Sequence, residues 1–125
     1  MSEQGYTTRP ERNRPVVLTV WQEFLAWTFD RTNAIPKGQR FTFGQRIDGH
    51  ALDILEMLVQ ATFTTEKRVL LDTINLRLEV LRVLWRIVQQ RGWISLRQLH
   101  FAQEKLDETG RMIGAWRKQV EGRKR

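Results

Sequence analysis

The stretch EKRVLLDTINLRLEVLRVLWRIVQQR, from Glu66 to Arg91, decides the fold of this chain. Its apolar residues recur at steps of three and four, the spacing that places side chains on one face of an α-helix. They form two rows, here named the first seam and the second seam. The first seam consists of Leu71, Ile74, Leu78, Leu81, Trp85 and Val88, and the second of Leu76, Val80, Val83 and Ile87. Because a helix with two apolar seams needs neighbours on two sides, the stretch predicts a long helix within a helical bundle.

Between the two seams runs a polar row, which we expect to face water or a charged partner. It consists of Arg68, Asp72, Asn75, Glu79, Arg82 and Arg86. After the last apolar residue, Gly92 supplies the left-handed conformation that commonly ends helices, and Trp93 is predicted to fold back on Val88. This helix should therefore end near Arg91.

The segment that follows predicts another long helix with a well-specified start. Ser95 and Gln98 have the spacing of a capping box, and Ile94 and Leu99 flank that turn as a hydrophobic staple. The apolar row of this helix is Leu99, Ala102, Leu106, Gly110, Ile113, Trp116 and Val120.

Two glycines of this last helix, Gly110 and Gly114, form a small-xxx-small pair. The pair is expected to let another helix come close, so that Gly114→Leu should cost several kcal/mol through overpacking. Trp116, two residues after Gly114, is predicted to close the end of the bundle.

Two helices are predicted upstream. The first runs from Val17 to Arg31 and is stopped by Asn33 and Pro36, and the second starts at Thr42 with a capping box to Gln45. The apolar row of the first is Val17, Val20, Trp21, Phe24, Leu25, Trp27 and Thr28. That of the second is Ile47, Ala51, Ile54, Leu55, Leu58 and Thr62.

Four long amphipathic helices with short links predict an all-α protein, an antiparallel up-down four-helix bundle. We expect the bundle to cover residues 16–120. Residues 1–15 are polar and aperiodic and predict a flexible N-terminal tail. Residues 121–125 predict a basic C-terminal tail.

Composition limits the function. A chain of 125 residues has room for one core, and the absence of cysteine excludes disulfides, thiolate metal sites and cysteine nucleophiles. The net charge is +7 and the isoelectric point is about 10.8, a balance suited to phosphate-bearing partners. No signal peptide or membrane-spanning stretch is recognised, so a cytoplasmic protein without membrane contact is expected.

The sequence offers few groups for catalysis. His50 and His100 are the only histidines, and neither has a carboxylate at the spacing of a HExxH or ExxH metal motif. His50 and Asp53 lie three residues apart, which helices produce often by chance. We therefore expect no enzymatic activity, no cofactor and no metal.

The basic residues are segregated along the chain. Residues 31–46 and 117–125 are strongly basic, whereas residues 48–62 carry three acids and no base. Most of the bases are arginine, which suits bidentate phosphate contacts. The residues expected to contact nucleic-acid phosphates are Arg68, Arg82, Arg86, Arg111, Arg117 and Lys118. The alternative is a solvated face with intrahelical pairs such as Glu79 with Arg82.

The tryptophans also allow two interpretations. Trp85 and Trp116 lie on apolar rows and are predicted to be core residues. For Trp21, Trp27 and Trp93, stacking on bases or contact with a protein competes with packing inside the bundle or its loops.

Three blocks resemble one family. IPKGQRFTFGQRI (Ile35 to Ile47), LEMLVQA (Leu55 to Ala61) and TGRMIGAWRK (Thr109 to Lys118) resemble the accessory variability determinant (Avd) proteins of diversity-generating retroelements. These are related to proteins encoded by intervening sequences in bacterial 23S ribosomal RNA genes. The resemblance spans residues 16–120. Its most specific residues are Pro36, Arg40, Gly44, Arg46, Gly110, Gly114 and Trp116.

The resemblance implies a function as well as a fold. Such accessory proteins are basic homopentamers that bind the element's reverse transcriptase and nucleic acid, and they support mutagenic cDNA synthesis without an active site of their own. The alternative within the same fold is a protein-interaction scaffold of the 23S intervening-sequence type, with no retroelement role.

Overall fold

This computed structural model describes residues 15–124, and the fold over this range is all-α. The four long helices are α1 (Val16–Asn33), α2 (Gln45–Phe63), α3 (Arg68–Gln90) and α4 (Leu96–Lys124). Each packs on the next along the chain, and α4 also packs on α1, so the four helices surround one core. Most of the predicted N-terminal tail, residues 1–14, lies outside the described residues. Helix α4 continues through the start of the predicted C-terminal tail.

The first seam of α3 forms the centre of the core. Each of its side chains is at most 1% exposed, which confirms the prediction. The second seam differs, because Leu76 is 64% exposed and Val83 is 42% exposed. Helices α2 and α4 both pack on α3, so this helix has two neighbours, but they bury the first seam and leave Val80 and Ile87 only half-buried. The second seam forms an open apolar surface.

The connection between α1 and α2 departs from the prediction. A short α-helical turn (Lys37–Gln39) and a π-helical turn (Arg40–Gly44) lead directly into α2. The prediction of a capping box at Thr42 is wrong, because Thr42 lies within the π-helical turn and the amide groups there do not depend on a side-chain cap. Helix α1 ends at Asn33, before Pro36, as expected, and Pro36 also caps the short helical turn that follows.

The turn between α3 and α4 contains the predicted glycine exit and the predicted capping box. Gly92 has φ +80°, and the amide of Trp93 donates to the carbonyl of Val88 at 3.0 Å, which is the long bond of a Schellman motif. At the start of α4, the amide of Gln98 donates to Ser95 Oγ at 3.0 Å, and the amide of Ser95 donates to Gln98 Oε1 at 2.8 Å. Both orphan amides of the capping box are satisfied.

The glycines and Trp116 of α4 require corrections. A Cβ at Gly114 would meet nothing within 4 Å, so the expected close helix contact there is wrong. At Gly110 a Cβ would lie 3.4 Å from Arg82 Nη2, an ordinary contact. Trp116 is only half-buried and lies at the edge of the core, whereas Trp85 is fully buried as predicted. Sequence periodicity places a residue toward a neighbour but does not say how close that neighbour comes.

Candidate nucleic-acid interface

The predicted phosphate-binding residues all lie on α3 and α4, two helices that pack directly on each other. The structure divides them into two groups by their charge partners. Arg68, Arg82 and Arg117 take part in ion pairs with carboxylates. Arg86, Arg111 and Lys118 are exposed, and no ion pair joins them to another described residue.

Arg82 connects α3 to α4. Its Nε and Nη2 donate to Asp107 Oδ1 at 3.1 and 3.0 Å, and Nη2 also lies 3.3 Å from the carbonyl oxygen of Leu106. Its Nη1 donates to Glu79 within α3. Two carboxylates therefore offset the positive charge of a guanidinium that is 22% exposed. The pair of Arg82 with Glu79 is the intrahelical pair expected if these basic residues form a solvated face instead of a phosphate-binding surface.

A second connection joins the start of α3 to the end of α4. Arg117 Nε donates to Asp72, and Arg117 also pairs with Glu121 at 3.3 Å. Arg68 reaches the same Glu121 at 3.8 Å. The hydrogen bond and the charge of Asp72 raise the pKa of Arg117 above its usual value. Lys118 follows Arg117 on α4 and is exposed. We call this group, Lys67, Arg68, Arg117 and Lys118, the basic end of the bundle.

An open cavity of about 610 Å³ lies at the basic end. The start of α1, the end of α2 and one face of α4 form its walls, and its lining includes Lys67, Met112 and Trp116. Lys67 Nζ donates to the carbonyls of Ala61 and Thr64, and it lies 5.9 Å from the centre of the Trp116 ring. Sequence reasoning did not single out Lys67, because its role depends on the end of α2 lying beside α4.

The connection before α2 holds the remaining residues of the resemblance. A Cβ at Gly44 would lie 3.3 Å from Arg40 Cγ and 3.7 Å from the carbonyl oxygen of Thr32, so the glycine permits a close approach of the chain to itself. Arg40 Nε donates to the carbonyl of Ile35 at 3.3 Å. These contacts give Arg40 and Gly44 a structural role in shaping the entry to α2.

Two further features surround this connection. Arg46 is exposed beside a shallow groove that includes Phe41 and Phe43. Asp48, on the first turn of α2, accepts a hydrogen bond from Thr32 Oγ1 at 2.8 Å. Burial raises the pKa of Asp48, and the bond from Thr32 partly opposes that shift. Thr32 is itself buried, and the apolar pattern alone did not reveal it.

Most of the tryptophans pack within the protein. Trp21 is fully buried and its Nε1 donates to the carbonyl of Ala51 at 2.9 Å. Trp27 stacks on Phe24 with ring centres 5.5 Å apart, and Trp93 meets Phe43 edge-on at 5.5 Å. Packing therefore accounts for Trp21 completely and for Trp27 and Trp93 in part.

The polar cluster around His50 bridges α2 and α3. Arg77 Nη1 donates to Asp53 Oδ2 at 2.6 Å and lies 3.2 Å from His50 Nδ1, which accepts this bond in the neutral imidazole. Burial and then the charge of Arg77 lower the pKa of His50, whereas Asp53 opposes the shift. Arg77 is thus held between a histidine and a carboxylate of α2, and it joins α2 to α3.

The described residues also bear on metal and membrane binding. No cluster of three or more His, Asp or Glu side chains that could hold a metal ion occurs among them. None of their helices combines the length and apolar composition needed to cross a membrane.

The comparisons with known proteins give one match. A family model described as bAvd-like matches residues 16–120, which covers all of α1, α2 and α3 and most of α4. No curated protein and no solved structure matches the chain.

Proposed function

The chain belongs to the bAvd-like family, and on this basis we propose that it is a non-enzymatic accessory protein of a diversity-generating retroelement. In this function it binds the element's reverse transcriptase together with RNA or cDNA, in the cytoplasm, and supports mutagenic cDNA synthesis. The observation that carries the nucleic-acid part is the grouping of cations on the packed pair α3 and α4.

Phosphate contacts are assigned first to the exposed cations Arg86, Arg111 and Lys118. None of the three forms an ion pair with another described residue, so contact with a phosphate requires no ion pair to break. Arg68, Arg82 and Arg117 contribute positive potential from the same two helices. Because phosphate contacts do not read base sequence, binding through this surface should be strong but sequence-tolerant.

A salt titration of RNA binding tests this proposal. The logarithm of the affinity should fall linearly with the logarithm of the salt concentration, and Arg86→Gln or Lys118→Gln should reduce the slope by about one contact each. Arg77→Gln is the matched control, because Arg77 is held by Asp53 between α2 and α3. A salt-independent affinity would refute a phosphate-led mechanism.

We also propose that the bundle is antiparallel and up-down. The ion pairs between α3 and α4 support this arrangement, because Arg82 pairs with Asp107 whereas Asp72 pairs with Arg117. The residue that lies earlier on α3, Asp72, thus pairs with the residue that lies later on α4, Arg117, as expected for antiparallel helices. A bifunctional thiol reagent should crosslink Asp72→Cys with Arg117→Cys, and it should fail with Glu79→Cys and Arg117→Cys.

Assembly into a homo-oligomer, a pentamer as the resemblance implies, is proposed to use the second seam. Leu76 and Val83 are exposed there, and Val69 on the same helix is 75% exposed. Such a row on a lone protomer favours burial against another copy. Light scattering should show an oligomer at micromolar concentration, and Leu76→Glu should dissociate it. A monomeric wild-type protein would contradict this part of the proposal.

A protein-interaction scaffold without a retroelement role is the second candidate. The ion-paired state of Arg68, Arg82 and Arg117 favours it, since these arginines already hold helices together. In that case RNA would bind weakly while a specific protein co-purifies. Co-purification with a reverse transcriptase encoded beside this protein separates the two candidates.

A further inference from the structure

We propose that the open cavity at the basic end of the bundle binds an unpaired base of single-stranded nucleic acid. This inference rests on the proposed nucleic-acid function and adds a base-binding site to its phosphate contacts. Single-stranded nucleic acid is distinguished from a duplex here, because the bases of a duplex are stacked on one another and cannot enter a cavity.

The size and walls of the cavity suit a flat apolar ring. Its volume of about 610 Å³ falls within the range of ligand sites, roughly 300–1,000 Å³. Val17 and Met112 supply apolar walls, and Trp116 supplies an aromatic surface at the edge of the core. Aromatic side chains bind bases of any sequence, because every base presents a π-face.

The charge around the cavity selects a nucleotide over an uncharged ligand. Lys67 is held in place by two backbone carbonyls, so its ammonium group stays near the Trp116 ring and the cavity. Lys118 at the same end of the bundle is exposed and forms no ion pair with another described residue, whereas Arg68 and Arg117 pair there with Glu121 and Asp72. Helix α1 also begins at the cavity, and its first turn carries no acidic residue, so the positive end of its dipole adds to this potential.

These features combine into a site with two parts. A base enters the cavity and stacks on Trp116, while the phosphates on either side of it meet Lys67 and Lys118, the two cations of the basic end that no described carboxylate pairs with. Stacking platforms next to cationic tracks are the usual means of binding single strands without sequence preference. The cavity thereby explains why an aromatic side chain sits only half-buried among the cations of α3 and α4.

The test compares a single-stranded oligodeoxynucleotide with an abasic strand of the same length. The two carry the same phosphates, so the ratio of their affinities isolates the contribution of the bases. Wild-type protein should bind the strand with bases about 5-fold more tightly or better. Trp116→Leu should abolish this preference and leave the affinity for the abasic strand unchanged, whereas Trp116→Phe should retain most of it.

Two further variants keep the test decisive. Trp93→Leu removes another half-buried tryptophan far from the cavity, and it should leave the preference intact. Ala115→Phe adds bulk to the cavity from an exposed position, so it should block the base without disturbing the core if Trp116→Leu fails to fold.

Each outcome has a distinct meaning. Equal affinity of wild-type protein for the two strands, with a normal salt slope, would overturn the base site and leave the proposed function standing. Binding of neither strand would overturn the nucleic-acid function itself. Loss of the preference in Trp93→Leu, or its persistence in both Trp116→Leu and Ala115→Phe, would refute the location.

Discussion

Replacement of Arg82 by alanine should destabilise the protein without weakening its phosphate contacts. Arg82 donates to Asp107 and Glu79, which are 55% and 67% exposed. Pairs of such exposure contribute about 0.2–1 kcal/mol each, because water screens the attraction. The contact with the Leu106 carbonyl adds a fraction of a hydrogen bond, and the loss of packed side-chain stem adds more. Arg82→Ala should therefore cost about 1–2 kcal/mol of unfolding free energy.

The matched control for this prediction is Arg86→Ala, one turn further along α3. Arg86 is exposed and has no ion-pair partner among the described residues, so its loss should change stability by less than about 0.5 kcal/mol. Urea denaturation followed by circular dichroism measures both variants. A double-mutant cycle of Arg82→Ala with Asp107→Ala should give a coupling energy of about 0.5–1 kcal/mol.

The salt slope of RNA binding completes the comparison. If the ion pairs with Asp107 and Glu79 keep Arg82 from contacting phosphate, Arg82→Ala should leave the salt slope of RNA binding unchanged. Arg86→Ala should reduce that slope by about one contact. The sequence-based expectation, in which both arginines contact phosphate, gives a reduced slope in both variants. Unchanged stability together with a reduced salt slope in Arg82→Ala would show that Arg82 contacts phosphate and does not connect α3 to α4.

Three other changes test local features. Gly114→Ala should stabilise the protein by roughly 0.5–1 kcal/mol, because the added Cβ meets no other atom and alanine favours the helix. A lower melting temperature of this variant in thermal denaturation would instead support a close helix contact at Gly114. Gly44→Ala should lower the melting temperature, because its Cβ would lie 3.3 Å from Arg40 Cγ; equal stability would show that Arg40 moves aside freely. The pKa of His50 is lowered below its usual value of 6.5, so the unfolded chain takes up the proton first and stability should fall as the pH drops through about 6.5. His50→Gln should flatten this part of the urea-measured pH profile, and an identical profile would exclude His50 as its source.

The features predicted correctly from sequence are local ones. The first seam of α3, the Schellman turn at Gly92 and the capping box at Ser95 each depend on residues within a few positions of one another. Helical periodicity and turn chemistry determine such features before any tertiary contact forms. For the same reason the four long helices were recognisable in order.

The features predicted wrongly depend on contacts between distant segments. Thr42 has the sequence of a cap, but the turn that begins after Pro36 continues helically through it. Gly114 has the spacing of a close-contact glycine, yet no neighbouring helix approaches it. The cavity beside Trp116 needs the ends of α1 and α2 to meet α4, which no spacing within α4 reveals.

The charges of α3 and α4 nevertheless contain non-local information. Asp72 and Arg82 lie ten residues apart on α3, and Asp107 and Arg117 lie ten apart on α4 with the signs in the same order. Only a reversed alignment of the two helices brings an acid opposite a base at both positions, and the structure shows those two pairs. These paired residues join α3 to α4. Arg86, Arg111 and Lys118 form no ion pair among the described residues, and they are the cations that we assign to nucleic acid. Counting arginines alone overestimates the binding surface, because part of the positive charge holds the bundle together.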